Sequence, residues 1–201
     1  MSVKLLNRAT VKSSAKPAGS AAQRLHDLTI ADRQRTRKIN LPLLKQITAA
    51  LVAELKLEKA ELGINLVATP EMTRLNENFL RHAGSTDVIT FDYTFGVPPS
   101  GGSRQNVAPA QKNRLKPGHQ TIHGEIFVCV DEAVSQARRF GATWQSEVVR
   151  YIVHGILHLQ GFDDSSAPAR RRMKLEEDRR LGALSRRFTL AQLSRPAKIS
   201  A

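Results

Sequence analysis

The sequence predicts one domain, a small mixed β-sheet with helices packed against it. Three observations predict it. The chain has 201 residues and 41% hydrophobic content, enough for one core and too few for two. Apolar residues recur at helical spacing in several stretches, with short β-branched or aromatic runs between them. The most apolar helical stretch runs from about Trp144 to Gln160. It carries Val148, Val149, Ile152, Val153, Ile156, Leu157 and Leu159, which places it at the centre.

The elements follow in order. A first strand is expected between Leu28 and Ile39. Leu41 to Leu57 has helical spacing, and Pro42 is tolerated in its first turn. Gly63 follows, and then a short strand, Ile64 to Ala68. Thr69 is expected to cap a helix that opens with Pro70 and puts Met72, Leu75 and Phe79 on one face. Val88 to Phe91 and Glu125 to Val130 read as strands. Asp131 to Phe140 reads as a helix ended by Gly141, and Thr143 as the cap of the central helix. Ala167 to Leu181 completes the pattern as a helix that is strongly basic on one side. Residues 27–183 are thus expected to form the domain. Residues 1–26 form a basic, aperiodic tail expected to be disordered, and 184–201 a second basic tail. The Pro- and Gly-rich stretch 96–121 reads as a flexible insertion.

Net charge is +13, concentrated in those same segments. Residues 1–40 carry nine Lys and Arg against two acids, 96–121 four against none, and 165–201 ten against three. Basic extensions of this kind attract nucleic acid by neutralising phosphates and releasing counterions. No window approaches the ~18 uncharged apolar residues of a membrane helix, and the N-terminus has no apolar signal segment. A soluble cytoplasmic protein without membrane contact is expected. The single cysteine, Cys129, excludes an internal disulfide and any multi-cysteine metal site, and its apolar neighbours point to a buried small hydrophobe.

The chemistry lies in His154-Gly-Ile-Leu-His158-Leu-Gln-Gly161-Phe-Asp163-Asp164. Two histidines four apart on a helix sit ~40° apart around the axis and ~6 Å apart along it, so both imidazoles can reach one ion. Gly161 can end the helix in a left-handed turn and return Asp164 to the same ion. The spacing matches the metzincin zinc pattern, and three N/O ligands leave a fourth position for water. One Zn²⁺ per chain held by His154, His158 and Asp164 is the expectation, with Asp163 as the alternative third ligand or a group orienting a histidine. The glutamate that serves as base in H-E-x-x-H peptidases is replaced by Gly155, which disfavours peptidase chemistry.

These residues resemble the YbeY endoribonucleases, bacterial rRNA maturation factors, whose signature is similar to H-G-x-L-H-L-x-G-[FY]-D-H. Thr86-Asp-Val-Ile-Thr-Phe91, Gly124-Glu-Ile126 and Leu75-Asn76 resemble further blocks of that family, in the same order, and the likeness covers about residues 28–181. It implies an α+β fold, a zinc ion in a cleft and cleavage of single-stranded RNA in 16S rRNA 3′-end maturation and ribosome quality control. It implies rRNA and small-subunit ribosomal proteins as partners. This chain departs from the family pattern at Asp164, which stands for the third histidine. It departs again at Leu80, which stands for the usual arginine, with Arg81 one residue late and His82 after it. Arg81 or His82 is the expected catalytic group stabilising charge on the phosphorus, and Asp87 either orients a ligand or caps. Two rivals stand beside this reading: another metallohydrolase, such as a peptidase, and a non-catalytic ribosome assembly factor with a structural metal. A structural site needs a fourth protein ligand, for which His119 and His123 are the candidates.

Overall fold

The computed structural model describes residues 26–94 and 121–194. The tail expected over 1–26 and the insertion expected over 96–121 lie outside the described residues, except for His26 and Thr121, which open strands. The chain forms β1 (His26–Asp32), α1 (Leu41–Glu54), β2 (Lys59–Val67) and α2 (Thr69–Leu75), which runs into a π-helical turn (Asn76–Leu80). Then come β3 (Val88–Asp92), β4 (Thr121–Cys129), α3 (Val130–Phe140), α4 (Trp144–Leu159), α5 (Ala167–Arg187) and a 3₁₀ turn (Leu190–Leu193). The strands lie in the order β1-β2-β4-β3. β1 and β4 run parallel to β2, and β3 runs antiparallel to β4, so the sheet is mixed and the domain is the expected α+β type.

Strand alternation decides which side of the sheet holds the core. Leu62, Ile64 and Leu66 of β2 and Ile122, Ile126 and Val128 of β4 face one side, where α1, α4 and α5 cover them. The intervening residues face the other side. There Val67, Ile89, Phe127 and Cys129 join Met72 of α2 in a second, smaller cluster. Both strands are longer than expected. β2 starts at Lys59, so Gly63 lies inside it, paired with Glu125, whose Cγ would stand 3.1 Å from an added Cβ. β4 begins at Thr121 because the ladder with β2 continues to Lys59.

The start of α2 also differs from expectation. The cap position is Ala68, which has no side chain to accept a hydrogen bond. Asp131, in the first turn of α3, supplies the acceptor instead: its Oδ2 takes the Thr69 N–H at 2.7 Å and the Thr69 hydroxyl at 3.0 Å, and Oδ1 takes the Thr36 hydroxyl. Burial pulls this carboxyl up, but the hydrogen bonds and nearby Arg37 outweigh it and hold Asp131 below the usual range.

The domain continues past the expected boundary at 183. α5 runs to Arg187 with Leu184 fully buried, the 3₁₀ turn buries Leu190 and Leu193, and Ser194 bridges to Ile39. The basic residues of 184–194 thus lie on the surface of packed structure, not in a tail. Residues 195–201 lie outside the described residues.

Two glycines let α4 lie unusually close to the sheet. A Cβ at Gly155 would stand 2.8 Å from two carbons of Ile126, and one at Gly124 would stand 2.4 Å from the Phe91 carbonyl oxygen and 2.7 Å from Leu159. Gly124→Ala must therefore move backbone, and is expected to cost at least about 2 kcal/mol in urea unfolding. Gly155→Ala meets only a side chain and gains about 1 kcal/mol of helix propensity, so it should cost less. Equal midpoints for Gly124→Ala and wild type would contradict this packing.

Candidate metal centre

α4 is capped at its start by Thr143, whose hydroxyl accepts the Ser146 N–H at 3.2 Å. It ends at Gln160, and Gly161, at φ 87°, reverses the chain as the sequence implies. The Phe162 N–H closes the turn on the Leu157 carbonyl at 3.0 Å. This reversal returns Asp164 to the two histidines. His154 Nε2 and His158 Nε2 stand 3.0 Å apart, and Asp164 Oδ2 lies 4.0 Å from the first and 3.9 Å from the second. The three ligating atoms all lie within 4.8 Å of one another. Asp163 points elsewhere, accepting from the Ser165 N–H at 3.1 Å and the Ser165 hydroxyl at 2.6 Å.

The outer nitrogens of both rings are fixed. His154 Nδ1 lies 3.1 Å from the Glu177 carboxylate, and His158 Nδ1 lies 3.1 Å from the Phe162 carbonyl. Both partners accept only, so each Nδ1 carries its proton as a donor. Burial first, and then His154, hold His158 below the ordinary imidazole range, against the pull of Asp164, the Phe162 carbonyl and Asp163. In the neutral rings that a metal ligand requires, these Nδ1–H tautomers leave the two Nε2 lone pairs facing each other with the Asp164 carboxylate beside them. Three acceptors without a donor among them repel, and a cation between them removes the repulsion. Tetrahedral zinc would set two ring nitrogens about 3.4 Å apart, near the observed separation. The residues therefore fit a small divalent metal. Asp164 is 44% exposed, so the site opens to solvent on its side.

Glu177 was not singled out by the sequence reading. Its side chain is 8% exposed and accepts from His154, from Arg150 Nη1 at 2.7 Å and from Lys174 Nζ at 3.0 Å. Burial pushes its carboxyl up, but these hydrogen bonds outweigh it and hold it at about 2. A signal was available: Glu177 shares the buried face of α5 with Met173, Leu181 and Leu184. An acid on an apolar stripe needs a partner.

The other candidates are not among the ligating groups of the cluster. Arg81 and His82 follow the π-helical turn, both exposed, and neither side chain has a hydrogen-bond or ion-pair partner among the described residues. Arg81 adopts a left-handed conformation, φ 59°. The turn is held by Asn76, whose carbonyl accepts the His82 N–H at 3.4 Å and whose amide donates to the Gly84 carbonyl at 2.9 Å. Asp87 accepts from the Val88 N–H and the Thr86 hydroxyl, a local turn at the start of β3. His123 pairs with Glu61 at 3.6 Å and stacks edge-on against Tyr93, so it is not a fourth ligand; His119 lies outside the described residues. Gly155 faces Ile126, not the cluster, and no base could reach from there. Cys129 is buried, with its thiol pushed up by burial.

Fold and site together define an α+β protein with a His–His–carboxylate cluster, able to hold a divalent cation, at the end of its core helix. The family model described as endoribonuclease YbeY matches residues 29–185. An endoribonuclease YbeY of Salinibacter ruber is 28% identical over 157 residues, covering 78% of this chain and 91% of that one. Another, of Elusimicrobium minutum, is 33% identical over 137 residues, covering 68% and 83%. The solution structure of a Thermotoga maritima protein shares the fold, with TM-score 0.51 and 22% identity over 87% of this chain and 99% of that one. The chain belongs to the YbeY endoribonuclease family.

Glu177→Gln keeps the shape of the side chain and removes its charge. Metal affinity, read by competition with a chromogenic chelator, should fall about 10- to 100-fold. A carboxyl held at about 2 contributes stability that is complete above its unfolded value of 4.5 and is lost as pH falls toward 2. The gap between wild type and variant, about 3 kcal/mol at pH 7, should therefore narrow on acidification. A gap that stays constant down to pH 3 would contradict this account.

Proposed function

We propose that the protein is a zinc-dependent, single-strand-specific endoribonuclease that acts in 16S rRNA 3′-end maturation and ribosome quality control. The observation that carries this reading is the pair of Nε2 atoms held 3.0 Å apart beside Asp164, in a chain of the YbeY family. His154, His158 and Asp164 hold one Zn²⁺, whose chemistry at such a site is to acidify a water molecule to near-neutral pKa and act as a Lewis acid toward a phosphoryl oxygen. Glu177 keeps the His154 ring in the ligating tautomer, and the Phe162 carbonyl does the same for His158. Arg81 and His82 are the catalytic groups that stabilise charge on the phosphorus. Support for their role is an ordered turn, held by Asn76, that carries a guanidinium and an imidazole with no side-chain partner among the described residues, and one residue in a left-handed conformation.

The partners follow from the same reading: single-stranded RNA, 16S rRNA and small-subunit ribosomal proteins, in the cytoplasm. No described helix is long and apolar enough to cross a membrane. The assembly-factor rival requires a closed structural site. Among the described residues the cluster has three ligands and an exposed side, which favours the catalytic reading.

Untagged wild-type protein should carry about one zinc per chain by plasma mass spectrometry, and His158→Ala and Asp164→Ala should lose it. Wild type should cut single-stranded RNA and spare duplex, and His158→Ala should not cut. Full cleavage by metal-free His158→Ala would end the proposal, and peptide hydrolysis in place of RNA cleavage would favour the metallohydrolase rival.

Arg81→Ala and His82→Ala should retain zinc. The variant lacking the charge-stabilising group should lose about 100-fold in kcat with little change in KM. If both variants cleave at the wild-type rate, the stabilising group lies elsewhere.

A further inference from the structure

A second charged surface lies outside the metal centre. An open cavity of about 600 Å³ is bounded by Thr36 and Arg37 on the connection between β1 and α1, and by Asp131, Ser135, Arg138 and Arg139 on α3. Three arginines from two elements meet there. None has a carboxylate partner within ion-pair distance among the described residues. Arg37 Nη1 donates only to the neighbouring Thr36 carbonyl, at 3.0 Å. The one acid in the wall, Asp131, already accepts from Thr36 and Thr69.

Beside Arg139 stands Phe140, 70% exposed, with the Arg139 guanidinium 5.3 Å from the ring centroid. Arginines in the last turn of a helix complement its dipole. That role explains neither Arg37 across the cavity nor a phenylalanine left in water at the rim. Guanidinium forks match phosphate oxygens, and an exposed aromatic ring offers a face to an unpaired base.

We propose that this cavity binds the backbone of single-stranded RNA, with Arg37, Arg138 and Arg139 on phosphates and Phe140 stacking against a base. The inference rests on the reading of RNA as the substrate. The surface lies on α3, which packs against α4, the helix that carries His154 and His158. None of its lining residues belongs to the metal cluster, so grip and chemistry can be separated by mutation.

The test uses full-length, zinc-loaded protein and a short fluorescent oligouridylate, read by anisotropy over a series of salt concentrations, with the RNA checked for integrity on a gel. Arg138→Glu/Arg139→Glu should weaken binding at least about tenfold. It should flatten the slope of log affinity against log salt by about 1.4, from two lost phosphate contacts at ~0.7 each. Phe140→Ala should weaken binding about tenfold and leave the slope unchanged. Both variants alter exposed side chains and should stay folded with wild-type zinc content, the double variant melting slightly lower because it loses two cations from the last turn of α3. Wild-type affinity and slope in both variants would overturn the proposal while leaving the nuclease reading intact, and would point instead to an acidic protein as the partner. Failure of the wild type to bind any single-stranded RNA would overturn both.

Discussion

The close approach of α4 to β4 is the constraint on which the rest of the structure depends. Gly155 rests against Ile126, and Gly124 lies under Leu159 beside the Phe91 carbonyl. These contacts lock the helix onto the strand pair that forms the middle and far edge of the sheet. His154 and His158 lie just to either side of the Gly155 contact along α4. Their backbone is therefore as rigid as the sheet itself, and rigid placement is what lets two imidazoles stand 3.0 Å apart in defined tautomers. The glycine that displaces the peptidase base thus has a structural cause. The position faces the sheet, where a glutamate side chain would run into Ile126.

Around this core the polar groups form a connected network. Arg150 of α4 bonds Glu177 and Asp178 of α5, and Lys174 bonds both acids from their own helix. Glu177 passes the constraint on to His154. A buried carboxylate needs all of these partners to remain charged. It gives α5 a direct hold on the metal centre although α5 supplies no ligand. The long basic helix is therefore part of the site on its inner face and solvent-facing on its outer one.

How much of this was legible follows from separation along the chain. His154, His158, Gly161 and Asp164 fall within eleven residues, and helix geometry alone brings them together. The Glu177 contact spans 23 residues and two helices, and the sequence shows an acid on an apolar stripe without showing which group it meets. The cap of α2 is less legible still. The Thr69–Asp131 bond spans 62 residues, so Thr69 looked like the cap when it is the capped residue. β2 starts earlier than Ile64 because Lys59 to Gly63 are held by the ladder with β4, and partners across a ladder leave no mark in the local sequence. The packing of Leu190 and Leu193 escaped notice because the short turn that carries them has too few residues to show a period. Arg81 and His82 were visible as residue types, but their ordered turn depends on Asn76, whose hydrogen bonds no local pattern reveals.

The remote cap has a consequence for how the site opens and closes in time. α2 has seven residues, too few to hold together alone, and its own cap position is an alanine. Its first turn is secured by a carboxylate that arrives only when α3 has docked, and its buried residue, Met72, belongs to the smaller of the two clusters. The π-helical turn and the Arg81–His82 corner continue directly from it. Of the two halves of the proposed centre, the histidine half shares the global stability of the sheet. The Arg81–His82 half follows a short helix with a borrowed cap and one buried residue, the kind of element that opens at lower free energy than a core helix. In hydrogen exchange such a segment loses protection while α4 keeps it. A substrate strand that engages Arg81 and His82 would meet a surface able to loosen and re-form around it without disturbing the ligands.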